Sequence, residues 1–540
     1  MKQYEAIFSK MSLEEKIGQM FMVGFKEDHL TSMMKDFINE YNIGFIDVFA
    51  RNVTSIEQIT NLNNQLHSLA KIPPMIFADQ EGGVVCQFGE LASTFSSMMG
   101  LAATHNEGLI ELAGRILSED MDLVGLDGFI GPTMDVNHEP NNPIIGLRSF
   151  SDDPDIVTQF ATALIRGINQ VGLVSMPKHF PGHGGSSLDS HLVLPTIGVS
   201  QEFYTSYDLK PFRTIAKFSD FMMTAHISVP NIDPLRKPAT FSKLFQTKIL
   251  REKYGFKGVL ITDCLEMDVI KNNYTPEQIV LNSIEAGIDV LLLSHSIDFQ
   301  KVLYKTLLSK VQEGHISIER IDMSVKRILA MKEKYAAIEK RKERDVNTAI
   351  NKIRNKREIE DFVTKHSIVV LRNKLNKLPL PTSQSLGIIE WDKTRSTVQL
   401  NEHFHKSYLI DYAEKYFNKA EVLILPLKKT ELSVIKTFLE SFDNIIVSPY
   451  SRTTELEMLQ GDMIREILRI RDDVVVVATG NPYDIRYFDD VKTYVATFGF
   501  RDTQMRALFD NLTGKFKSCG KLPVEIKGMF PRWYNSNLGE

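Results

Sequence analysis

Residues 258–295 read GVLITDCLEMDVIKNNYTPEQIVLNSIEAGIDVLLLSH. Two short runs, GVLITDC and DVLLLSH, are almost wholly apolar and stop on polar residues, and the longer segment between them has helical spacing. A run that is apolar at successive positions suits a strand buried on both faces, and strand, helix, strand in that order is a βαβ unit of a parallel sheet. Upstream the same pattern recurs in FMVGF, IGFIDVF, PMIFADQ, DGFIGPTMDV, LVSMPKHF and DFMMTAHI, all between Gly18 and Ser296. Eight such runs in one stretch predict an α/β fold of the (β/α)8, TIM-like barrel type rather than an open sheet.

The polar residues at the ends of these runs agree with that expectation. Asp79, Asp135 with Asn137, Lys178 with His179, His226, Asp263 and His295 each stand where an apolar run stops. One polar residue of this kind marks only the start of a turn. In a barrel, however, all the carboxyl ends of the strands ring one mouth, so residues far apart in sequence are expected to converge there.

From Met331 to Asp361 the chain becomes highly charged, with KEKYAAIEKRKERDVNTAINKIRNKREIED read as a solvated helical connector. A second series of strand candidates follows, LGIIE, EVLILPL, NIIVSPY, DVVVVATG and TYVATFG, separated by helical segments. That alternation predicts a doubly wound α/β sandwich. The expected division is a barrel over residues 1–335, a connector over 336–365 and an α/β sandwich domain over 366–540.

Composition narrows the function. The 540 residues are 43% hydrophobic and 24% charged, the balance of a globular protein, with a net charge of -5. No basic stripe with interleaved aromatics appears, so nucleic acid is not an expected partner. No apolar run approaches the ~18 residues of a membrane-spanning helix, and no membrane partner is expected. The cysteines, Cys86, Cys264 and Cys519, are odd in number and widely spaced, which argues against a disulfide framework and for a reducing compartment. The opening MKQYEAIFSKMSLEEKIGQM lacks the order of a signal peptide, so the cytoplasm is the expected location.

Chemistry concentrates in residues 178–191, KHFPGHGGSSLDSH. His179 and His183 have the spacing of zinc-binding helices, but Pro181 and Gly182 lie between them and would break a helix. The glycines suggest a mobile loop instead. Asp189 and His191, two positions apart, form a proton-transfer pair in which the carboxylate orients the imidazole and stabilises its charged form. Asp263, at the end of its apolar run, is a carboxylate placed for rigidity, as a nucleophile or a stabiliser of a developing cation requires. Its bland alternative is an N-cap for a helix starting near Leu265.

KHFPGHG followed by DSH, with ADQEGG, MDVN, NNPIIGLRSF, MTAHI and ITDCLEM in order along the chain, resembles family 3 glycoside hydrolases of the β-N-acetylglucosaminidase (NagZ-like) group. SIVVLRNKLNKLPL, TGNPYDI and GKLPVEI resemble the second domain of its two-domain members. The resemblance implies an exo-acting, retaining hydrolase that releases terminal β-linked N-acetylglucosamine from cell-wall fragments or chitooligosaccharides. It implies Asp263 as nucleophile, His191 as general acid/base and Asp189 as its partner. Asp79, Arg148, Lys178 and His179 match sugar ligands, with His183 and His226 added as candidate substrate contacts. The expected partner is a small oligosaccharide, and neither a cofactor nor a metal is implied.

Three departures stand out. Val84 and Gln87, in DQEGGVVCQF, replace basic residues common in the family beside the sugar pocket. Gly185 and Ser186 stand where Asp-Thr is common, and NHEPNNP places His138 and Glu139 near the pocket. The readings to be separated from hydrolysis of N-acetylglucosaminides are a phosphorylase or a β-glucosidase of the same family. Two further classes are a metal-dependent barrel hydrolase using His179, His183, Asp189 and His191, and a sugar-binding protein without catalysis.

Overall fold

The computed structural model describes residues 2–188, 190, 193–337, 343–354, 356–391, 408–426, 428, 430–450 and 454–537. Five parallel strands lie side by side: β1 (Phe21–Val23), β2 (Phe45–Val48), β3 (Met75–Ala78), β4 (Gly128–Phe129) and β5 (Val174–Ser175). They are followed by β6 (Phe221–Met223), β7 (Val259–Ile261) and β8 (Leu291–Leu293). β8 pairs with β1, and β6 with β7. Parallel bridges from Phe180 to Thr224 and from Ile261 to Val290 close the ring into an eight-stranded barrel. Every residue of these strands is buried, the reason their runs are apolar at successive positions.

Helices cover the barrel, including α1 (Ser32–Tyr41), α2 (Ile56–Ser68), α3 (Glu107–Leu123), α4 (Pro154–Val171), α5 (Pro276–Ala286) and α6 (Ile297–Gln312). α4 shows how local sequence sets their ends. Asp153 caps its first turn by accepting from the Asp155 and Ile156 amides, Pro154 occupies the first turn, and Gly172 ends the helix in the left-handed region at φ 88°. Val157, Phe160, Leu164 and Ile168 bury one face. α3 and α4 approach closely: a Cβ at Gly167 would lie 2.0 Å from the Glu111 carbonyl oxygen, and one at Gly114 2.5 Å from that of Leu164.

The connector contains α7 (Val346–Arg354) and α8 (Arg357–Lys365), and its environment differs from the solvated one expected. Ala349, Ile353 and Val363 are buried in the barrel's apolar core, while Lys356 reaches Asp120 at 2.6 Å and Glu119 at 3.1 Å. The few apolar residues here fall on one helical face, which a count of charges conceals.

The second domain is a six-stranded sheet in the order β9-β14-β13-β12-β10-β11. Its strands are β9 (Val369–Asn373), β10 (Leu386–Trp391), β11 (Ala420–Leu425), β12 (Asn444–Ser448), β13 (Val475–Ala478) and β14 (Thr493–Ala496). All pairings are parallel except that of β9 with β14. The five parallel strands have the flavodoxin-like 2-1-3-4-5 order, and a separate apolar cluster lies on each face.

One of those clusters includes Val84, Met99, Ala103 and Leu147 of the barrel together with Ile389, Val447, Tyr483 and Phe498 of the sandwich. Polar contacts flank this shared core. The Ser97 hydroxyl donates to the Phe498 carbonyl at 2.8 Å, Asn481 Nδ2 to the Pro140 carbonyl at 3.1 Å, and Arg486 Nη2 to Asn141 Oδ1 at 3.0 Å. Val84 is therefore a junction residue. Val84→Arg is expected to bury an unpaired charge and destabilise the protein by about 2–4 kcal/mol, read as a lowered midpoint in urea, whereas Val84→Ile is expected to be nearly neutral.

Candidate active site

The carboxyl ends of the strands surround a cavity of about 480 Å³, within the usual size range for a small-molecule site. Asp79 follows β3, Lys178 and His179 follow β5, Asp263 follows β7, and His295 follows β8; all line the cavity. Arg148 and His183, on loops beyond β4 and β5, line it as well. Ser190 lines it too, whereas its neighbours Asp189 and His191 lie outside the described residues.

The cavity wall is organised by Glu81, in a short hairpin directly after β3. Arg148 grips this carboxylate with two hydrogen bonds, Nε to Oε2 at 3.0 Å and Nη2 to Oε1 at 2.9 Å. Lys178 Nζ lies 2.5 Å from Glu81 Oε1 and also pairs with Asp79. Burial pushes the Glu81 carboxyl up, but Arg148 and Lys178 more than offset it and hold the group down at about 2. Burial likewise opposes charge on Lys178, yet Asp79 and Glu81 bring its pKa above the ordinary lysine value. Glu81, Arg148 and Lys178 thus hold one another in the charged form although all three are buried.

Asp135, buried after β4, organises the next segment. It accepts from His179 Nδ1 at 2.7 Å and from the His183 amide at 2.6 Å. Arg148 Nη2 stands 3.3 Å from His179 Nε2. Arginine can only donate, so this network assigns the proton to Nδ1 and leaves Nε2 as an acceptor. The His183 ring has no hydrogen-bond partner among the described residues, and burial pushes its pKa down to about 4, leaving it neutral at pH 7.

On the other side, Asp263 Oδ1 accepts from the Cys264 amide at 2.7 Å. Glu266 accepts from the amides of His295 at 2.6 Å and Ser296 at 2.9 Å, tying the loop after β7 to the start of α6. His226 is placed differently from the expectation that it contacts substrate. Its ring is buried outside the cavity lining, with Nδ1 2.8 Å from the Thr240 hydroxyl and Nε2 3.1 Å from the Cys264 carbonyl oxygen. It supports the turn that carries Asp263.

The departures also separate. Gln87 lines the cavity and accepts from the Ala50 amide at 2.9 Å, whereas Val84 faces the second domain. Gly185 packs on His138, where a Cβ would come within 2.5 Å of Cε1, and His138 Nε2 is 3.1 Å from Asp208 Oδ1. Sequence reasoning missed Glu81, Arg51 and Asp47. Glu81 lies in a quoted motif but carries no local sign of its partners, while Asp47 was visible as a lone acid inside the apolar run IGFIDVF.

A barrel whose mouth holds fixed carboxylates and cations around a cavity, joined to a flavodoxin-like sandwich, is the arrangement a two-domain α/β enzyme of the barrel type would have. The family models agree: residues 12–331 match the glycosyl hydrolase family 3 N-terminal domain and residues 368–532 its C-terminal domain. The chain belongs to glycosyl hydrolase family 3.

Among its relatives is a beta-hexosaminidase A of Pseudoalteromonas piscicida, 32% identical over 329 residues; the match covers 56% of this chain and 55% of that protein. A beta-hexosaminidase of Idiomarina loihiensis is 32% identical over 276 residues, covering 50% of this chain and 82% of that one. The structure of a family 3 beta-N-acetylglucosaminidase from a Paenibacillus species superposes with a TM-score of 0.83 at 28% identity, over 96% of this chain and 99% of the other.

Because the Glu81 carboxyl is held at about 2 against an ordinary 4.5, it contributes stability that is present above its unfolded pKa and lost as the pH falls through the folded one. Glu81→Gln is accordingly expected to cost about 3 kcal/mol at pH 7 in urea denaturation, with the gap to wild type narrowing between about pH 4.5 and pH 2.

Proposed function

We propose that this protein is an exo-acting, retaining β-N-acetylglucosaminidase that removes terminal β-linked N-acetylglucosamine by double displacement. The observation that carries the reading is the placement of Asp263 on the same cavity as Asp79, Arg148, Lys178 and His179. In this reading Asp263 attacks the anomeric carbon and forms a glycosyl-enzyme, which water then hydrolyses. Its hydrogen bond from the Cys264 amide fixes the orientation of the carboxyl group.

His191, with Asp189 as its partner, is proposed as the acid that protonates the leaving oxygen and then as the base that activates water. An imidazole titrates near neutral pH, which suits both tasks. Asp79, Lys178 and Arg148 are proposed to hold sugar hydroxyls by charge-assisted hydrogen bonds, with His179 beside them as a further contact. The identities of the Paenibacillus structure and of the two bacterial hexosaminidases support the sugar. Cell-wall fragments or chitooligosaccharides are the proposed sources, and the three free cysteines fit a cytoplasmic setting.

The test is hydrolysis of 4-nitrophenyl β-N-acetylglucosaminide beside the β-glucoside, with and without phosphate. Turnover of the first, lost by at least about a thousandfold in Asp263→Ala, is the expected result. Preference for the glucoside would overturn the sugar assignment, and formation of a sugar 1-phosphate would overturn hydrolysis. For the acid, His191→Ala is expected to slow substrates with poor leaving groups far more than activated aryl glycosides, and kcat/KM across a series of leaving groups checks it.

A further inference from the structure

Asp47 lies within β2, in register with Phe77 of β3 and thus two residues below the level of Asp79. It lines the same cavity as Asp79 and Asp263 although it is only 1% exposed, which places it at the floor. One of its oxygens, Oδ2, accepts from the Ser294 hydroxyl at 3.1 Å. The other, Oδ1, has no hydrogen-bond partner among the described residues. A buried carboxyl oxygen without a partner is costly to keep in a fold, and such exceptions call for an explanation.

The neighbouring charges explain why no cation satisfies it. Lys178 is engaged by Asp79 and Glu81, and Arg148 by Glu81. Arg51, which also lines the cavity, donates Nε to the Phe25 carbonyl at 2.8 Å and Nη2 to the Ser294 carbonyl at 2.6 Å. The charges of Arg51 and Lys178 act on Asp47, but neither occupies its Oδ1. Burial first, and then the adjacent Asp79 charge, push its carboxyl well above the usual carboxylate range. A carboxyl oxygen without a partner accepts from a hydroxyl when charged and can donate to one when protonated, so either form complements a sugar hydroxyl.

We propose that Asp47 is a further substrate-binding residue, which hydrogen-bonds a hydroxyl of the bound sugar at the cavity floor and selects for sugars that carry that hydroxyl. The proposal rests on the reading of the cavity as a glycoside site. Asp47 stands on β2 between Asp79, which follows the neighbouring strand β3, and its hydrogen-bond partner Ser294, which follows β8; its proposed target is a ring hydroxyl over that part of the floor. Its proposed role is in binding.

The experiment is a cycle of enzyme variants against deoxygenated substrates. Wild type, Asp47→Asn and Asp47→Leu are each measured on 4-nitrophenyl β-N-acetylglucosaminide and on its 3-, 4- and 6-deoxy analogues, with thermal melts run on all three proteins. On the parent sugar, Asp47→Leu is expected to lose at least about tenfold in kcat/KM, mainly through KM, and Asp47→Asn less because it keeps a donor at the same place. One analogue should be poor for the wild type and lose nothing further in Asp47→Leu, identifying the hydroxyl. Equal losses on all four substrates, or no loss on the parent, would overturn the proposal.

Should Asp47→Leu fail to fold, the cycle with Asp47→Asn decides by the same criterion. Wild-type turnover of the parent sugar tests the underlying reading separately. If only the glucoside is turned over, the sugar assignment fails while the same cycle on deoxyglucosides still judges Asp47. If no glycoside is turned over, both fall.

Discussion

A single buried carboxylate, Glu81, joins three consecutive barrel loops. It sits after β3, its bidentate partner Arg148 comes from beyond β4, and Lys178 follows β5. Neither Glu81 nor Lys178 would readily stay ionised alone in such a setting, since desolvation works against an isolated buried acid or lysine. Asp79 adds a further carboxylate contact to Lys178 at the edge of this set. The cavity wall is consequently fixed before any sugar arrives, as preorganised binding requires.

The second domain holds the same loops from outside. Leu147, next to Arg148, and Val84, three residues after Glu81, both pack into the sandwich core. Arg501 of the sandwich donates Nε to the Gly83 carbonyl, and Asn481 and Arg486 hold residues 140 and 141. The described residues lining the main cavity all come from the barrel. The sandwich therefore influences the site by fixing loops rather than by lining the main cavity with its described side chains. Substituting valine for a basic residue at position 84 suits that arrangement, because a side chain in an apolar junction must be apolar.

A similar local exchange occurs under the loop after β5. His138 occupies the space beside residue 185, with its Nε2 at Asp208, and only a residue without a Cβ fits over it. Gly185 and His138 thus explain one another: the histidine fills the volume that a larger loop residue would need. Gln87, by contrast, keeps its place at the cavity but uses its carbonyl oxygen on the Ala50 amide, so it contributes shape and backbone support where a basic residue would contribute charge.

The barrel was legible from the sequence because strands buried on both faces must be apolar at successive positions, and in GVLITDC and DVLLLSH that demand is written locally. The convergence of Asp79, Lys178, His179 and Asp263 followed from topology, since parallel strand ends share one mouth. Which polar residue faces the cavity was not legible. His179 and His226 both end apolar runs, yet one lines the site and the other is taken up by Thr240 and the Cys264 carbonyl. The connector's buried face, the pairing of Glu81 with Arg148 and the isolation of Asp47 were likewise decided only by the tertiary structure. Sequence periodicity specifies which residues must leave water; the partner that each buried charge meets depends on elements brought together across many residues, and only the folded chain supplies it.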